Sequence, residues 1–284
     1  MGDTFEDISF QENRQDGQVG KQWTVLVTGY GVSLPFVMPG RNLTPRAAST
    51  CSLNLTKLQP FLEKYPINSS WVIASTLPNR LPATSTSPSI RIIKHPEPIK
   101  TAYRTVMSLV PKLLQRSDPK PDIILHLGLA VDRHYYSLER ESPREPYTRK
   151  RDLDGHVCSS EENKAMWGTC PNVLKPTFNC DDVWRRWQQH VQLVEGAETK
   201  QSDDPGNFMC AFIYYASMAW FWKRGAEERP VMFLHVPDCP TEEDVEVGRE
   251  VTAGLVKALV ESRETLGIFD PLKKEGSLEE ENEL

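Results

Sequence analysis

The 284-residue sequence contains no long apolar run, and no stretch approaches the roughly 20 residues that a membrane-spanning helix needs. Its first 20 residues are polar and acidic and lack the apolar segment of a secretory signal peptide. No internal repeat is present. Together these absences predict a cytoplasmic protein that is neither inserted in a membrane nor bound to one.

Positive charge is scarce relative to negative charge. The chain carries 33 Lys and Arg against 39 Asp and Glu, which gives a net charge of −6 at pH 7. Proteins that bind nucleic acid or an anionic membrane surface usually carry an excess of positive charge. The composition therefore predicts neither nucleic acid nor membrane as a partner. With 39% apolar residues, it is typical of a globular protein that is long enough to bury a substantial core.

Paired cysteines are also missing. Six cysteines are present, and none of them forms a C-x-x-C motif. We expect reduced thiols rather than disulfides, because the chain has no export signal. A structural zinc ion held by Cys158, Cys170, Cys180 and His156 is an alternative, which the wide and irregular spacing of these residues disfavours. The spacing therefore predicts no structural zinc site.

Composition divides the chain into a central domain with polar ends. Residues 1–20 and the acidic residues 271–284 are predicted to be disordered, and residues 21–270 to form a single domain. Within this domain, residues 140–180 are polar and rich in proline and charge. That composition predicts an insertion that leaves the core, as a surface loop or a lid.

Apolar segments of strand length alternate with segments of helical periodicity. Strands are predicted at residues 23–28, 71–74, 90–93, 122–127, 135–139 and 231–236, with 135–139 partly exposed. Helices are predicted at residues 55–65, 98–114, 181–194, 209–222 and 241–263, the third capped by an Asp and the last by a capping box of Thr241 and Asp244. This alternation predicts a three-layer α/β/α fold around a mostly parallel sheet, with reactive groups at the carboxyl ends of its strands.

One cysteine and one histidine occupy positions that suit nucleophilic catalysis. Cys210 follows a turn at Gly206 and opens an apolar helix, and His235 lies near the end of an apolar strand. The free N–H groups and dipole of a helix N-terminus favour a thiolate. A histidine within reach takes the thiol proton and later gives it to a leaving amine. Spacing alone leaves open the alternative that both residues fill the core, as most cysteines do.

Four short motifs occur in order along the chain. Residues 25–31 read VLVTGYG, residues 125–140 contain G-x-A-x-x-R followed by E-R, residues 202–210 read SDDPGNFMC, and residues 233–237 read FLHVP. In that order they resemble the TGFG turn, the G-x-A-x-x-R…E-R stretch, the nucleophile segment and the FIHVP strand of the pyroglutamyl peptidase I family of cysteine peptidases. The resemblance covers most of residues 23–263, and its long segment after the E-R pair is closer to eukaryotic members than to bacterial ones.

This resemblance implies a reaction and the residues that perform it. By position in the motifs, Cys210 is the nucleophile, His235 the general base and acid, and Glu139 the carboxylate that orients His235. The implied reaction hydrolyses the amide bond after an N-terminal pyroglutamyl residue through a thioester. The implied partners are peptides with a blocked N-terminus, no cofactor is needed, and no oligomeric state is implied. Backbone N–H groups near Cys210, or after the first and fourth core strands, are candidates for the oxyanion hole.

The substrate-binding residues that the resemblance implies depart from the family pattern. Tyr30 replaces the first family Phe, Phe36 is displaced by a few residues from the second, and Leu129 replaces a family Gln. Each lost buried hydrogen bond to a lactam ring weakens binding by on the order of 1–3 kcal/mol. The altered residues therefore leave two alternatives open beside a pyroglutamyl peptidase: a peptidase for a different N-terminal residue, or a catalytically altered homologue that acts as a binding or regulatory module.

Two other features have alternative interpretations. Residues 28–31 place Gly-x-Gly after a strand, as in dinucleotide-binding proteins, but Leu34 occupies the place of the third glycine and no Walker A lysine motif is present. A nucleotide-binding function is therefore disfavoured. Cys239 is a second cysteine close to His235, and because no predicted helix begins at it, we interpret it as structural.

Overall fold

A computed structural model of the protein describes residues 21–31, 68–115 and 119–272. Four of the sequence predictions fall wholly or mostly outside these ranges. They are the disordered segment at 1–20, the helix at 55–65, the substrate contact at Phe36, and the acidic tail beyond residue 272.

Nine strands are present in the described part of the chain. In order they are β1 (Trp23–Gly29), β2 (Arg80–Leu81), β3 (Ile90–Lys94), β4 (Ile123–Leu129), β5 (Tyr136–Glu139), β6 (Ser142–Pro143), β7 (Val173–Leu174), β8 (Thr199–Ser202) and β9 (Val231–Val236). Seven of them form one sheet in the order β2-β3-β1-β4-β9-β5-β8, and β6 and β7 pair separately. Within the large sheet only the β2–β3 and β5–β9 neighbours are antiparallel.

Helices cover both faces of this sheet. They are α1 (Ser69–Thr76), α2 (Tyr103–Gln115), α3 (Ser160–Trp167), α4 (Cys180–Val191), α5 (Met209–Trp222) and α6 (Glu242–Leu266). Buried side chains of α1, α4 and α6 form one hydrophobic cluster with the sheet, and those of α2, α3 and α5 form the other. The predicted three-layer α/β/α class with a mostly parallel sheet is confirmed.

The three central strands explain why the sheet is covered on both sides. Every residue of β1 and β9 is buried, and only the last residue of β4 is partly exposed. Along β9, Met232 joins the cluster of α1, α4 and α6, whereas Phe233 joins the opposite cluster. Continuous apolar runs of this kind are typical of parallel strands that are buried on both faces.

The elements that bear the proposed nucleophile and base begin and end as predicted. Helix α5 spans Met209–Trp222, and strand β9 spans Val231–Val236. The capping box at the start of α6 is also confirmed, because the Thr241 side chain accepts from the N–H of Asp244 and the Asp244 side chain accepts from the N–H of Thr241.

The predicted strand at residues 71–74 is wrong, because this segment lies within helix α1. The Asn68 side chain caps the helix by accepting from the N–H of Ser70. Ile73 and Ala74 are buried, and both belong to the cluster beneath α1. A four-residue apolar run does not distinguish a strand from a buried helix, so the cap is the informative signal here.

Strand β5 is more deeply buried than predicted. All four of its residues are buried, because β9 pairs with one of its edges and β8 with the other. The expectation of a partly exposed strand at 135–139 is therefore wrong for residues 136–139. The polar side chains of Ser137 and Glu139, which suggested exposure, have hydrogen-bond partners inside the protein.

The prediction that residues 140–180 leave the core is also wrong. This segment forms β6, α3 and β7, and it contributes several large side chains to the two hydrophobic clusters. These buried residues are Tyr147, Cys158, Trp167, Cys170, Leu174 and Phe178. They are spaced widely among charged residues, so the average composition of the segment hides them.

Two helices begin at other residues than predicted. Helix α4 is capped by Asn179 rather than Asp181, and the Asn179 side chain accepts from the N–H of Asp182. Helix α2 begins at Tyr103 rather than near residue 98, where the Asp152 carboxylate accepts from the Tyr103 N–H at 2.8 Å. That cap comes from a residue 49 positions away, so local sequence does not reveal it.

Candidate active site

The segment that leads into α5 places Cys210 in the first turn of a helix. Gly206 has a φ of +79°, a left-handed conformation that favours glycine, and its N–H donates to the Asp204 carboxylate at 3.0 Å. This turn ends at Phe208, the N-cap of α5, whose side chain makes no capping hydrogen bond. Cys210 is therefore the second residue of a helix whose N-terminal N–H groups are not capped by a side chain.

Strand β4 approaches the Cys210 side chain closely. A Cβ atom at Gly128 would lie 2.7 Å from Cys210 Sγ and 2.6 Å from the ring of Phe233. Both distances are shorter than atoms can approach, so only glycine leaves room for the sulfur at this position. The close approach of Cys210 therefore explains why the first position of the G-x-A-x-x-R motif is a glycine.

His235 and Glu139 come together because β9 and β5 are antiparallel neighbours. In the register of these strands Ser137 lies opposite His235, and Glu139 lies opposite Phe233. His235 Nδ1 and Glu139 Oε1 are 2.8 Å apart. The Glu139 side chain is fully buried, and that of His235 nearly so. The Cys210 side chain is within hydrogen-bonding range of His235 as well, and because Nδ1 is engaged by Glu139, Nε2 is left to face the sulfur.

Electrostatics make His235 a cation and Glu139 an anion at neutral pH. Burial lowers the pKa of His235, but the charges of Cys210 and Glu139 and hydrogen bonds to both outweigh it and raise this pKa to about 9. Burial raises the pKa of Glu139, but His235, Ser202 and Arg133 outweigh it, so the carboxyl pKa lies below its usual value. The Ser202 hydroxyl bonds to the backbone of Asp204, and Glu139 Oε2 has no hydrogen-bond partner.

The other described cysteines lack such an environment. Burial raises the pKa of Cys158 and Cys180 to about 12, that of Cys239 to about 11, and also raises that of Cys170. These four residues are therefore thiols at neutral pH. Cys239 is buried and its Sγ lies 3.5 Å from the carbonyl of Pro237, which fits its interpretation as structural.

Two of the predicted substrate-binding residues, Tyr30 and Leu129, occupy different positions near Cys210. Tyr30 is buried, and its hydroxyl donates to the carbonyl of Met209 at 2.7 Å, so it contacts the residue next to Cys210. Burial raises the Tyr30 pKa first of all, and the neighbouring Cys210 raises it further. Leu129 is half-buried at the end of β4, one residue after Gly128.

Sequence reasoning overlooked two polar residues beside Glu139. Arg133 Nη1 donates to Glu139 Oε1 at 2.6 Å, and the Ser137 hydroxyl donates to the same oxygen at 3.1 Å. Arg133 is the arginine of the G-x-A-x-x-R motif, so a signal was present in the sequence. Ser137 carried no signal beyond its period-2 relation to Glu139, which places both side chains on one face of β5.

The described ranges contain neither a group of potential metal ligands nor a helix that could span a membrane. Within residues 21–31, 68–115 and 119–272, no three His, Cys, Asp or Glu side chains are grouped so that they could hold a metal ion. His156, the histidine of the disfavoured zinc site, faces Glu162, with 3.1 Å between Nε2 and the carboxylate. No helix in the same ranges has the length and apolar character needed to cross a bilayer.

Comparison with known proteins gives consistent matches. A family model described as pyroglutamyl peptidase matches residues 52–261 of the chain. The chain is 25% identical to pyroglutamyl-peptidase 1 of Homo sapiens over 186 residues, which is 64% of this chain and 77% of the human protein. Pyroglutamyl-peptidase 1 of Mus musculus matches at the same identity and coverage.

Solved structures show the same fold. A mutant pyrrolidone carboxyl peptidase from the hyperthermophile Pyrococcus furiosus superimposes with a TM-score of 0.58 at 18% identity, covering 84% of this chain and 98% of that one. The pyroglutamyl peptidase I of Bacillus amyloliquefaciens gives a TM-score of 0.57 at 18% identity, covering 84% and 96%. At these identities the structural likeness concerns the fold alone.

Proposed function

The chain belongs to the pyroglutamyl peptidase family of cysteine hydrolases, and from this premise we propose that it removes an N-terminal pyroglutamyl residue from peptides by way of a thioester on Cys210. The observation that carries the proposal is the buried contact of 2.8 Å between His235 Nδ1 and Glu139 Oε1, with Cys210 beside the same ring. These contacts support Cys210 as nucleophile, His235 as base and Glu139 as orienting carboxylate, the set of groups that an acyl-transfer enzyme requires.

In the first half of the reaction Cys210 attacks the pyroglutamyl carbonyl. The Cys210 sulfur forms a bond to the carbonyl carbon while His235, whose pKa is raised to about 9, carries the proton. The imidazolium then protonates the leaving amine as the C–N bond breaks. Glu139 stabilises this imidazolium and holds Nδ1, so that Nε2 remains directed at the reacting atoms.

In the second half the neutral His235 serves as a base. It takes a proton from water as the water oxygen attacks the thioester carbonyl, and the C–S bond then breaks to release the acid. The proton stays on His235, as at the start of the cycle. Glu139 stays ionised throughout because its pKa is lowered by its neighbours. Neither half of this reaction requires a metal or an organic cofactor.

Negative charge on the carbonyl oxygen develops next to the start of α5. The first N–H groups of a helix have no partner within the helix and point along its axis toward an anion. Since the Phe208 side chain does not cap α5, the N–H groups around Cys210 are the donors that we assign to the oxyanion hole. This choice is preferred over the loops after β1 and β4, the other candidates from the sequence.

Recognition of the lactam ring is the part of the proposal that differs most from the family pattern. Tyr30 uses its hydroxyl to bind the Met209 carbonyl, and Leu129 offers an apolar side chain where a family Gln would hydrogen-bond. The alternative is a peptidase of the same mechanism that accepts a different N-terminal residue. We assign Tyr30 and Leu129 to the walls of the substrate site.

Release of a fluorophore from a pyroglutamyl amide under reducing conditions tests this function. We expect turnover by the wild type, loss of turnover in Cys210→Ala, and retained turnover in the matched control Cys239→Ala. Parallel assays with alanyl and prolyl amides distinguish pyroglutamyl from other N-terminal specificity. Equal activity in wild type and Cys210→Ala, or a folded wild type that is inert on every amide, would contradict the proposal.

A further inference from the structure

Arg133 lies in the turn between β4 and β5 and contacts three groups of the proposed active site. Its Nη1 atom donates to Glu139 Oε1 at 2.6 Å and to the Ser137 hydroxyl at 2.5 Å. Its Nη2 atom donates to the backbone carbonyl of Asp204 at 2.7 Å. One guanidinium therefore joins the proposed orienting carboxylate to the loop that leads into Cys210.

The hydrogen bonds of Glu139 are distributed unequally between its two oxygens. Oε1 accepts from Arg133, Ser137 and His235, whereas the buried Oε2 has no hydrogen-bond partner. Two donors on the β5 side thus fix the carboxylate so that the same oxygen meets the His235 ring. Because a planar guanidinium reaches two acceptors in a fixed geometry, a shorter or neutral side chain would not reproduce this arrangement.

Charge balance is a second consequence of this contact. Glu139 is fully buried, and Arg133 is only about one-fifth exposed, at 20%. A buried carboxylate without a cation is costly, and His235 loses its charge whenever it gives its proton to a leaving group. Arg133 supplies a permanent positive charge in every step, since guanidinium groups do not deprotonate in proteins.

We propose that Arg133 is a positioning residue of this active site that balances the charge of Glu139, fixes its carboxylate toward His235, and fastens the loop that precedes Cys210. The kinetic part of this inference rests on the proposed function. The groups that act electrostatically on the pair are Cys210 and Glu139 on His235, and His235 and Arg133 on Glu139. Tyr214 donates to the backbone carbonyl of Glu139 and is neutral, because burial raises its pKa.

The sign of the effect follows from Coulomb attraction. Without Arg133 the Glu139 charge is screened less and attracts the imidazolium of His235 more strongly. His235 then becomes a weaker acid toward the leaving amine, and it keeps its proton to higher pH. A residue that served only the folding of the turn would not produce this shift.

The test compares Arg133→Met, Arg133→Gln and Arg133→Lys with the wild type on a pyroglutamyl amide across pH. For the Met and Gln variants we expect kcat to fall on the order of 10- to 100-fold with KM nearly unchanged. We also expect the alkaline limb of the kcat/KM profile to move to higher pH. Arg133→Lys keeps the charge, so it should recover part of kcat and keep the limb of the wild type.

The matched control is Arg224→Met. Arg224 is exposed just beyond the C-terminal end of α5, the end opposite Cys210, and it donates to the Trp220 carbonyl at 3.1 Å. It should leave kcat and both limbs unchanged. Urea unfolding of each variant identifies any that is not folded. The proposal is overturned if folded Arg133→Met or Arg133→Gln keeps the kcat of the wild type, or loses activity with an alkaline limb that stays or moves down.

A second readout needs no substrate of the proposed reaction. The rate of Cys210 alkylation by iodoacetamide has an upper inflection where His235 loses its proton, and this inflection should move to higher pH in Arg133→Met. If the wild type hydrolyses no pyroglutamyl amide, the proposed function fails and this profile alone decides the role of Arg133. An inflection that moves up supports the role, and one that stays or moves down refutes it.

Discussion

Two buried histidines on neighbouring strands of this protein differ in charge: one is neutral and the other is a cation. His235 on β9 faces Glu139 and Cys210, and its pKa is raised to about 9. His126 on β4 lies between the hydroxyls of Thr28 and Ser217, at 2.8 and 2.9 Å. Burial, with a smaller contribution from His95, lowers the pKa of His126 to about 3. Both rings are almost completely buried, so burial alone does not decide which of them is a cation.

The difference lies in the partners that each ring meets. Hydroxyl groups satisfy both nitrogens of a neutral imidazole but do not compensate a charge, so desolvation keeps His126 neutral. A carboxylate and a cysteine sulfur reverse that balance at His235. His126 therefore links β4 to α5 through Ser217, whereas His235 lies beside Cys210 in the first turn of the same helix.

Replacement of each histidine by glutamine should show the largest difference between the two residues. We expect His235→Gln to lower kcat/KM on a pyroglutamyl amide at least about 1000-fold, because it removes the group that protonates the leaving amine. His126→Gln should instead leave kcat/KM within an order of magnitude and reduce the free energy of unfolding by about 1–3 kcal/mol. Steady-state kinetics and urea unfolding of both variants check this, and a larger kinetic loss in His126→Gln would contradict it.

Replacement of Glu139 by glutamine should make the surroundings of His235 resemble those of His126 more closely. Glu139→Gln keeps the size of the side chain but removes the charge that helps to raise the His235 pKa. We expect kcat to fall about 100-fold or more, and the alkaline limb of kcat/KM to move to lower pH. The measurement is a pH profile of the variant beside the wild type. An unchanged limb would show that Glu139 does not act on His235.

The contributions of the two histidines to stability should depend on pH in opposite directions. The folded pKa of His126 is lowered, so its contribution to stability is present above about pH 6.5 and is lost as pH falls toward 3. The folded pKa of His235 is raised, so its contribution is present below about pH 6.5 and is lost as pH rises through about 9. Each change amounts to roughly 3 kcal/mol or more for a fully buried ring.

Urea unfolding from pH 3 to 10 measures these changes as differences between wild type and variant. The difference between wild type and His126→Gln should shrink in acid, and that between wild type and His235→Gln should shrink in alkali. Taking differences removes the contributions of carboxyl groups with lowered pKa values, such as Asp182. Parallel curves for the two variants would contradict the assigned charge states.

Local patterns predicted much of the fold because they reflect burial. The continuous apolar runs of β1, β4 and β9, and the caps of α6, depend on neighbours within a few residues. The strand predicted at residues 71–74 failed because four apolar residues fit either a strand or a helix. The cap of α2 by Asp152 and the buried aromatic residues of 140–180 depend on contacts between distant segments, which composition does not reveal.

The candidate site was predictable to a similar extent. The motifs indicated Cys210, His235 and Glu139, and the structure brings all three together. The sequence did not indicate how Glu139 is held, because Arg133 in the turn after β4 contacts Glu139 on β5 and Asp204 in a distant segment. Nor did it indicate the charge states of the two histidines, since these depend on partners from other strands.

The most direct test of the account is mass spectrometry of the wild-type protein mixed rapidly with an activated pyroglutamyl ester and quenched in acid. With a good leaving group, formation of the thioester outpaces its hydrolysis, so the acyl-enzyme accumulates. The account predicts one pyroglutamyl group on the peptide that contains Cys210. No acylated cysteine, or acylation of Cys239 in place of Cys210, would contradict it.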